Sequence, residues 1–136
     1  KQHTCEGEDR SPPLRWNHPP AGTRCFALIA DDPDAPGGTW VHWVLFNIPI
    51  DVRGLAEGLP PQEVLPNDAR QGINDFHRVG YGGPCPPPGT PHRYYFTLYA
   101  LDRELPLKAN ATKSQVVAAM KEHVLAEAKL MGRFGR

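Results

Sequence analysis

The chain has 136 residues with 15 basic and 15 acidic side chains, the length of one domain with balanced charge. That balance and the lack of a long basic run argue against a nucleic-acid partner, and no apolar stretch approaches the ~18 residues of a membrane span. The 16 prolines put many rigid turns in the chain and leave little room for helix. At this size about two-thirds of the unfolded surface can be buried, so no disulfide or structural metal is needed for folding.

Residues 1–22 read as irregular and turn-rich. Phe26–Ala30 is apolar and bounded by turn formers, which predicts a strand running into Asp31-Asp32-Pro33-Asp34-Ala35-Pro36-Gly37-Gly38. Trp40–Ile48 is the second strand, with Trp40, His42, Val44, Phe46 and Ile48 on one face and Val41, Trp43, Leu45 and Asn47 on the other. Both faces are largely apolar, which predicts a central strand covered on both sides. Asp51–Asn74 is a long, weakly patterned connection, read as surface loop.

The Gly- and Pro-rich stretch Gly80–Pro91 leads into a third strand, His92–Leu101. One helix is expected at the end: Thr112 and Gln115 fit a capping box, Val117, Met120, Val124, Ala128 and Met131 recur at helical spacing, and Gly132 is a natural stop. The class is mainly β, one domain over residues 1–136.

Three side chains stand where strands meet rigid turns: Asp32, His42 and His92. Tyr94 lies two residues beyond His92 on the same face. The glycine loop before them offers backbone N–H groups at Gly82, Gly83 and Cys85. Imidazoles, a phenol and clustered N–H donors suit a phosphate or carboxylate. Each element also has a bland reading. A buried histidine is more often a satisfied core residue, an aspartate after a strand is more often a turn former, and the glycine loop can be a stiff connection. Of the three cysteines, Cys25 is expected to be buried and reduced, and a Cys5–Cys85 bond is left open.

Asp32-Pro33-Asp34-Ala35-Pro36, Trp40-Val41-His42-Trp43, Gly80-Tyr81-Gly82-Gly83-Pro84 and His92-Arg93-Tyr94 occur in the order and spacing of the phosphatidylethanolamine-binding-protein family, which the chain resembles along essentially its whole length. Thr4-Cys5, Gly7-Glu8-Asp9, Ser11-Pro12, Asn74-Asp75-Phe76 and residues 123–136 resemble its prokaryotic, Raf-kinase-inhibitor-like branch. The resemblance implies a β-sandwich of a larger and a smaller antiparallel sheet with a C-terminal helix. It also implies an N-terminal strand before residue 1. The implied pocket takes phosphate, phosphorylated head groups and similar small anions. Asp32, His42, His92 and Tyr94 supply its side chains, Gly83 a backbone N–H, and Pro36 and Trp40 its wall.

No catalytic residue, metal or cofactor is assigned. The implied partners are a small anion or phospholipid head group, a kinase or protease target, and a second copy of the chain in a homodimer. Cytoplasm is the expected compartment. The rival reading is a metal-dependent or thiol hydrolase built on Asp32, His42, His92 or Cys85. Three departures from the family pattern stand out. Val41 replaces the first of two adjacent histidines in the mammalian branch. Leu130 and Met131 stand where that branch has a pocket tyrosine. His77 occupies a position where glycine is expected.

Overall fold

A computed structural model describes residues 11–35, 38–83 and 92–134, with backbone alone at 92 and 131–134. In chain order the elements are β1 (Leu14–Arg15), β2 (Cys25–Asp32), β3 (Trp40–Pro49), β4 (Gly54–Leu55), β5 (Arg70–Gln71), β6 (His92–Leu101), α1 (Lys113–Met120) and β7 (Val124–Phe134). They build a five-stranded antiparallel sheet in the order β5-β3-β2-β6-β7 and a small β1-β4 sheet. This is the mainly β class the sequence implies, with one helix near the C-terminal end among the described residues.

The continuous apolar runs of β2 and β3 are explained by burial on both faces. Cys25, Ala27, Ile29, Val44 and Phe46 pack toward α1 with Val116 and Met120. Phe26, Leu28, Ala30, Trp43, Leu45 and Ile48 pack on the opposite face, with Leu14 and Leu55 of the small sheet. Fully burying a side chain of this size contributes roughly 1.5–3 kcal/mol.

Strict alternation along β3 does not hold, because the strand carries two bulges against β2. Phe26 pairs with Ile48 but Leu28 with Leu45; Ala30 pairs with Trp43 but Asp31 with Val41. At the first bulge Asn47 adopts φ 53°. Its side chain exchanges two hydrogen bonds with the backbone of Leu105, at 2.9 and 2.7 Å. Asparagine is among the few residues that take this conformation readily. At the second bulge His42 is the extra residue.

Two expectations are corrected. The helix ends at Met120, and Val124–Phe134 is a strand, not the continuation of a helical stripe. The capping box is present, with Gln115 N–H donating to Thr112 Oγ1 and Thr112 N–H to Gln115 Oε1. The buried stripe, however, is Val116 and Met120, with Val117 exposed. Glu122 at φ 69° turns the chain, and β7 then pairs with β6 from Val124↔Leu101 to Phe134↔His92. Ala, Glu, Leu and Lys favour helix locally, but the unpaired edge of β6 offers a long ladder that overrides the preference.

The second correction concerns residues 51–74, which are not a plain surface loop. They contain β4 and β5, and Leu55, Leu65 and Ala69 cover the second core cluster. Gln71, 1 % exposed, accepts from the Trp43 indole and donates to the carbonyls of Pro60 and Gln62. One buried amide thereby satisfies a core tryptophan and pins the connection.

Candidate functional site

The site forms where the C-terminal end of β2, the start of β3 and the start of β6 come together. Asp32 is the last residue of β2, and its Oδ1 accepts a hydrogen bond from Asp34 N–H at 2.8 Å. Aspartate favours such a bond to backbone two residues on, which turns the chain out of the strand. Asp34 then takes Arg93 in a two-pronged ion pair, Nε to Oδ2 and Nη2 to Oδ1, each at 2.8 Å. It also accepts the Arg93 backbone N–H at 2.9 Å. The turn after β2 is thus tied to the start of β6, one residue before Tyr94.

His42 sits at the β3 bulge, the kind of irregularity that re-aims a side chain beside a site. Its Nδ1 is 2.7 Å from the Gly82 carbonyl oxygen, and Gly82 N–H donates to the His42 carbonyl at 2.8 Å. The Nδ1–H tautomer satisfies that carbonyl and leaves Nε2 with a bare lone pair in the neutral ring. Nε2 is buried and has no hydrogen-bond partner among the described residues. Burial holds the imidazole below its ordinary histidine value; the Gly82 carbonyl, the Asp32 and Asp31 charges and the Gly83 carbonyl pull the other way and do not prevail.

The ring lies in an aromatic setting. Tyr94 meets it edge-on at 5.3 Å between centroids, and Phe76 lies at 5.6 Å on a tilted plane. Phe76 in turn meets Trp40 at 5.4 Å. Tyr94 is 3 % exposed, and burial, reinforced by the Asp32 and Asp34 charges, raises its phenol well above the usual tyrosine range. It is therefore a protonated hydroxyl at any physiological pH.

The 74–82 segment positions this wall. Asn74 Oδ1 accepts from Phe76 N–H and Arg78 N–H, and Nδ2 donates to the Gly80 carbonyl. Asp75 Oδ2 accepts Val41 N–H at 2.7 Å, fastening the loop to β3. At Gly82 a Cβ would stand 2.4 Å from Phe76 Cδ2, so glycine is required for the backbone to pass this close.

A family model described as phosphatidylethanolamine-binding protein matches residues 1–135. The chain belongs to the phosphatidylethanolamine-binding-protein family. It is 53 % identical over 135 residues to a UPF0098 protein of Methanothermobacter thermautotrophicus, covering 99 % of this chain and 89 % of that one. A UPF0098 protein of Aquifex aeolicus is 47 % identical over 138 residues, covering 100 % and 80 %. Among solved structures, the phosphatidylethanolamine-binding-protein homolog CT736 of Chlamydia trachomatis matches with TM-score 0.89 at 39 % identity, covering 100 % of this chain and 88 % of that one. E. coli YbcL, titled a new member of the mammalian PEBP family, matches with TM-score 0.90 at 38 % identity, covering 97 % and 84 %.

Within this phosphatidylethanolamine-binding-protein fold, Trp40 and His42 lie against Phe76, Tyr94 and the Gly82 backbone lie against His42, the Asp32 charge acts on both His42 and Tyr94, and Gly83 is buried. The backbone of His92 is two residues before Tyr94 on β6, opposite Phe134. Pro36, Cys5 and Cys85 lie outside the described residues. His77 is exposed at φ 63° and lines a separate cleft of ≈ 650 Å³ with Thr39, Asp75 and Lys113. That left-handed backbone is the physical reason glycine suits the position.

Sequence reasoning missed Phe76 and Asn74 as wall and frame, Asp34 and Arg93 as the clamp, and the His42 carbonyl as an anchor for Gly82. Their motifs were visible, but an ion pair between positions 34 and 93 has no periodic signature. Among the described residues no group of three or more His, Cys, Asp and Glu side chains is placed to hold a metal ion. No helix among them is long and apolar enough to cross a membrane.

Proposed function

We propose that this protein binds a small oxyanion, a phosphate or the phosphate of a phosphorylated head group, at the cluster of Asp32, His42 and Tyr94. The observation that carries the reading is the buried His42 Nε2, which has no partner among the described residues. A buried polar atom left without a partner costs about 1–3 kcal/mol, a cost that a ligand atom relieves. The protonated Tyr94 hydroxyl supplies a donor of the kind an oxyanion needs. His92 and the Gly83 N–H complete the proposed cradle, and Trp40 and Phe76 give it an apolar side.

The proposed activity is binding without turnover. Tyr94 is held in its protonated form and is a donor, not a nucleophile, and Asp32 spends one oxygen on the turn that follows it. The proposal includes a homodimer, which light scattering at micromolar concentration would report as twice the chain mass.

Calorimetry with inorganic phosphate and with phosphoethanolamine tests the reading. Binding is expected for both. It should weaken by roughly ten- to a hundredfold in His42→Ala and in His92→Ala, the value of one charge-assisted hydrogen bond. Absence of heat, or unchanged affinity in both variants, overturns it.

A further inference from the structure

We infer that this site takes its anion together with one proton, held between His42 Nε2 and an oxygen of the ligand, and so selects oxyanions that can carry a proton near neutral pH. The inference rests on the anion-binding reading and specifies the ligand class. Its basis is the tautomer. Nδ1–H is committed to the Gly82 carbonyl at 2.7 Å, and the reciprocal Gly82 N–H bond to the His42 carbonyl holds the pair in register. The atom left for a ligand is therefore an acceptor. A fully deprotonated oxyanion is also all acceptor, so the two repel unless a proton lies between them.

The groups facing His42 determine where that proton can come from. From β2 come the carboxylates of Asp32 and Asp31, the latter paired with Lys113 Nζ at 2.8 Å. From β6 comes the Tyr94 ring, from the 74–80 loop the Phe76 ring, and from the glycine segment the carbonyls of Gly82 and Gly83. None of these described groups is a cation, and burial of the ring outweighs the carboxylates and carbonyls, which holds His42 toward its neutral form. A phosphate monoester, with its second ionisation near pH ~6, can bring the proton itself. Sulfate and phosphodiesters cannot, and require the buried ring to be charged.

Both routes take up a proton above neutral pH, and calorimetry can count it. Titrating phosphoethanolamine at pH 8 in two buffers of different ionisation heat should show uptake of about one proton per ligand, falling toward zero near pH 5.5 as the free monoester already carries it. Affinity for phosphoethanolamine should drop about tenfold per pH unit above neutrality. Sulfate and glycerophosphoethanolamine should bind at least about tenfold more weakly than phosphate and phosphoethanolamine at pH 8. In His42→Gln, whose amide presents a donor that does not titrate, phosphoethanolamine should bind at pH 8 without proton uptake.

Phosphoethanolamine binding at pH 8 with no proton uptake, or sulfate binding equal to phosphate, overturns this inference and leaves the anion reading standing. A full proton still taken up by His42→Gln also overturns it. No heat at pH 5.5 or 8 with any of these probes removes the anion reading and this inference together.

Discussion

His42 and Gly82 hold each other by two hydrogen bonds, imidazole Nδ1 to the Gly82 carbonyl at 2.7 Å and Gly82 N–H to the His42 carbonyl at 2.8 Å. The pairing requires the Gly82 backbone to run against the Phe76 ring, where a Cβ would stand 2.4 and 2.6 Å from two ring carbons. Gly82→Ala should therefore displace Phe76 or break the His42 bonds. The expected cost is roughly 1–3 kcal/mol in urea denaturation, as for other overpacked sites. Phosphate affinity should fall with it. A variant as stable as the parent would show that the contact is relieved cheaply.

The same burial makes stability depend on pH. In the unfolded chain His42 returns to the ordinary value of about 6.5, whereas the folded value is lower. Below about pH 6.5 the unfolded state takes up a proton that the folded state resists, so stability falls as pH drops toward the folded value. Above that window both states are neutral and this loss is absent. The urea midpoint should thus decline more steeply from pH 8 to pH 5 in the parent than in His42→Gln. Parallel curves would remove His42 as the cause.

The Asp34–Arg93 clamp makes a different prediction, because its two side chains are 31 % and 44 % exposed. An exposed ion pair of this kind is screened by solvent and contributes little, so Arg93→Ala should barely change the denaturation midpoint. It should nonetheless free the turn that follows Asp32. Hydrogen exchange at the Asp34 amide should speed up, and phosphate affinity should fall several-fold. Unchanged exchange and affinity would show that the Asp32–Asp34 bond alone sets the turn.

His77 lies outside this cluster, and its effect should be confined to stability. A β-branched residue at φ 63° costs more than histidine does, so His77→Val should lose about 1–2 kcal/mol. His77→Gly should hold or slightly raise stability, with phosphate binding unchanged in both. A loss of binding in His77→Gly would bring the neighbouring cleft into the site.

The central strands were legible because burial on two faces writes itself as continuous apolar sequence, as in Phe26–Ala30 and Val41–Phe46. What was not legible was non-local. Val124–Phe134 carries helix-favouring residues, and only the free edge of β6 makes it a strand. The bulge at His42 comes from a register shift between β2 and β3, invisible in either strand alone. Gln71 lies in the stretch read as surface loop, and only the fold brings Trp43, Pro60 and Gln62 around it. The residue types at strand ends and the family resemblance singled out Asp32, His42 and Tyr94, and the fold places Tyr94 edge-on to His42. Their tautomer and burial required the fold.

Cys25 offers a test of the core that needs no ligand. Its thiol is 1 % exposed, lies 3.1 Å from the Arg103 carbonyl oxygen, and is pushed up to about 11 by burial, with smaller contributions from Glu104 and Asp102. At pH 8 only about one molecule in a thousand would carry the reactive thiolate, and that one is shielded by the packing of β2. Treating the native protein with a thiol reagent and mapping the label by mass spectrometry should leave Cys25 unmodified over a time in which exposed cysteines react fully. Adding urea should expose it at once. Counting in urea without reductant settles the remaining pair as well: three reactive thiols exclude a Cys5–Cys85 bond, and one reactive thiol mapping to Cys25 establishes it. Fast labelling of Cys25 in the native protein would show that the β2 side of the α1-facing core opens far more readily than its packing implies.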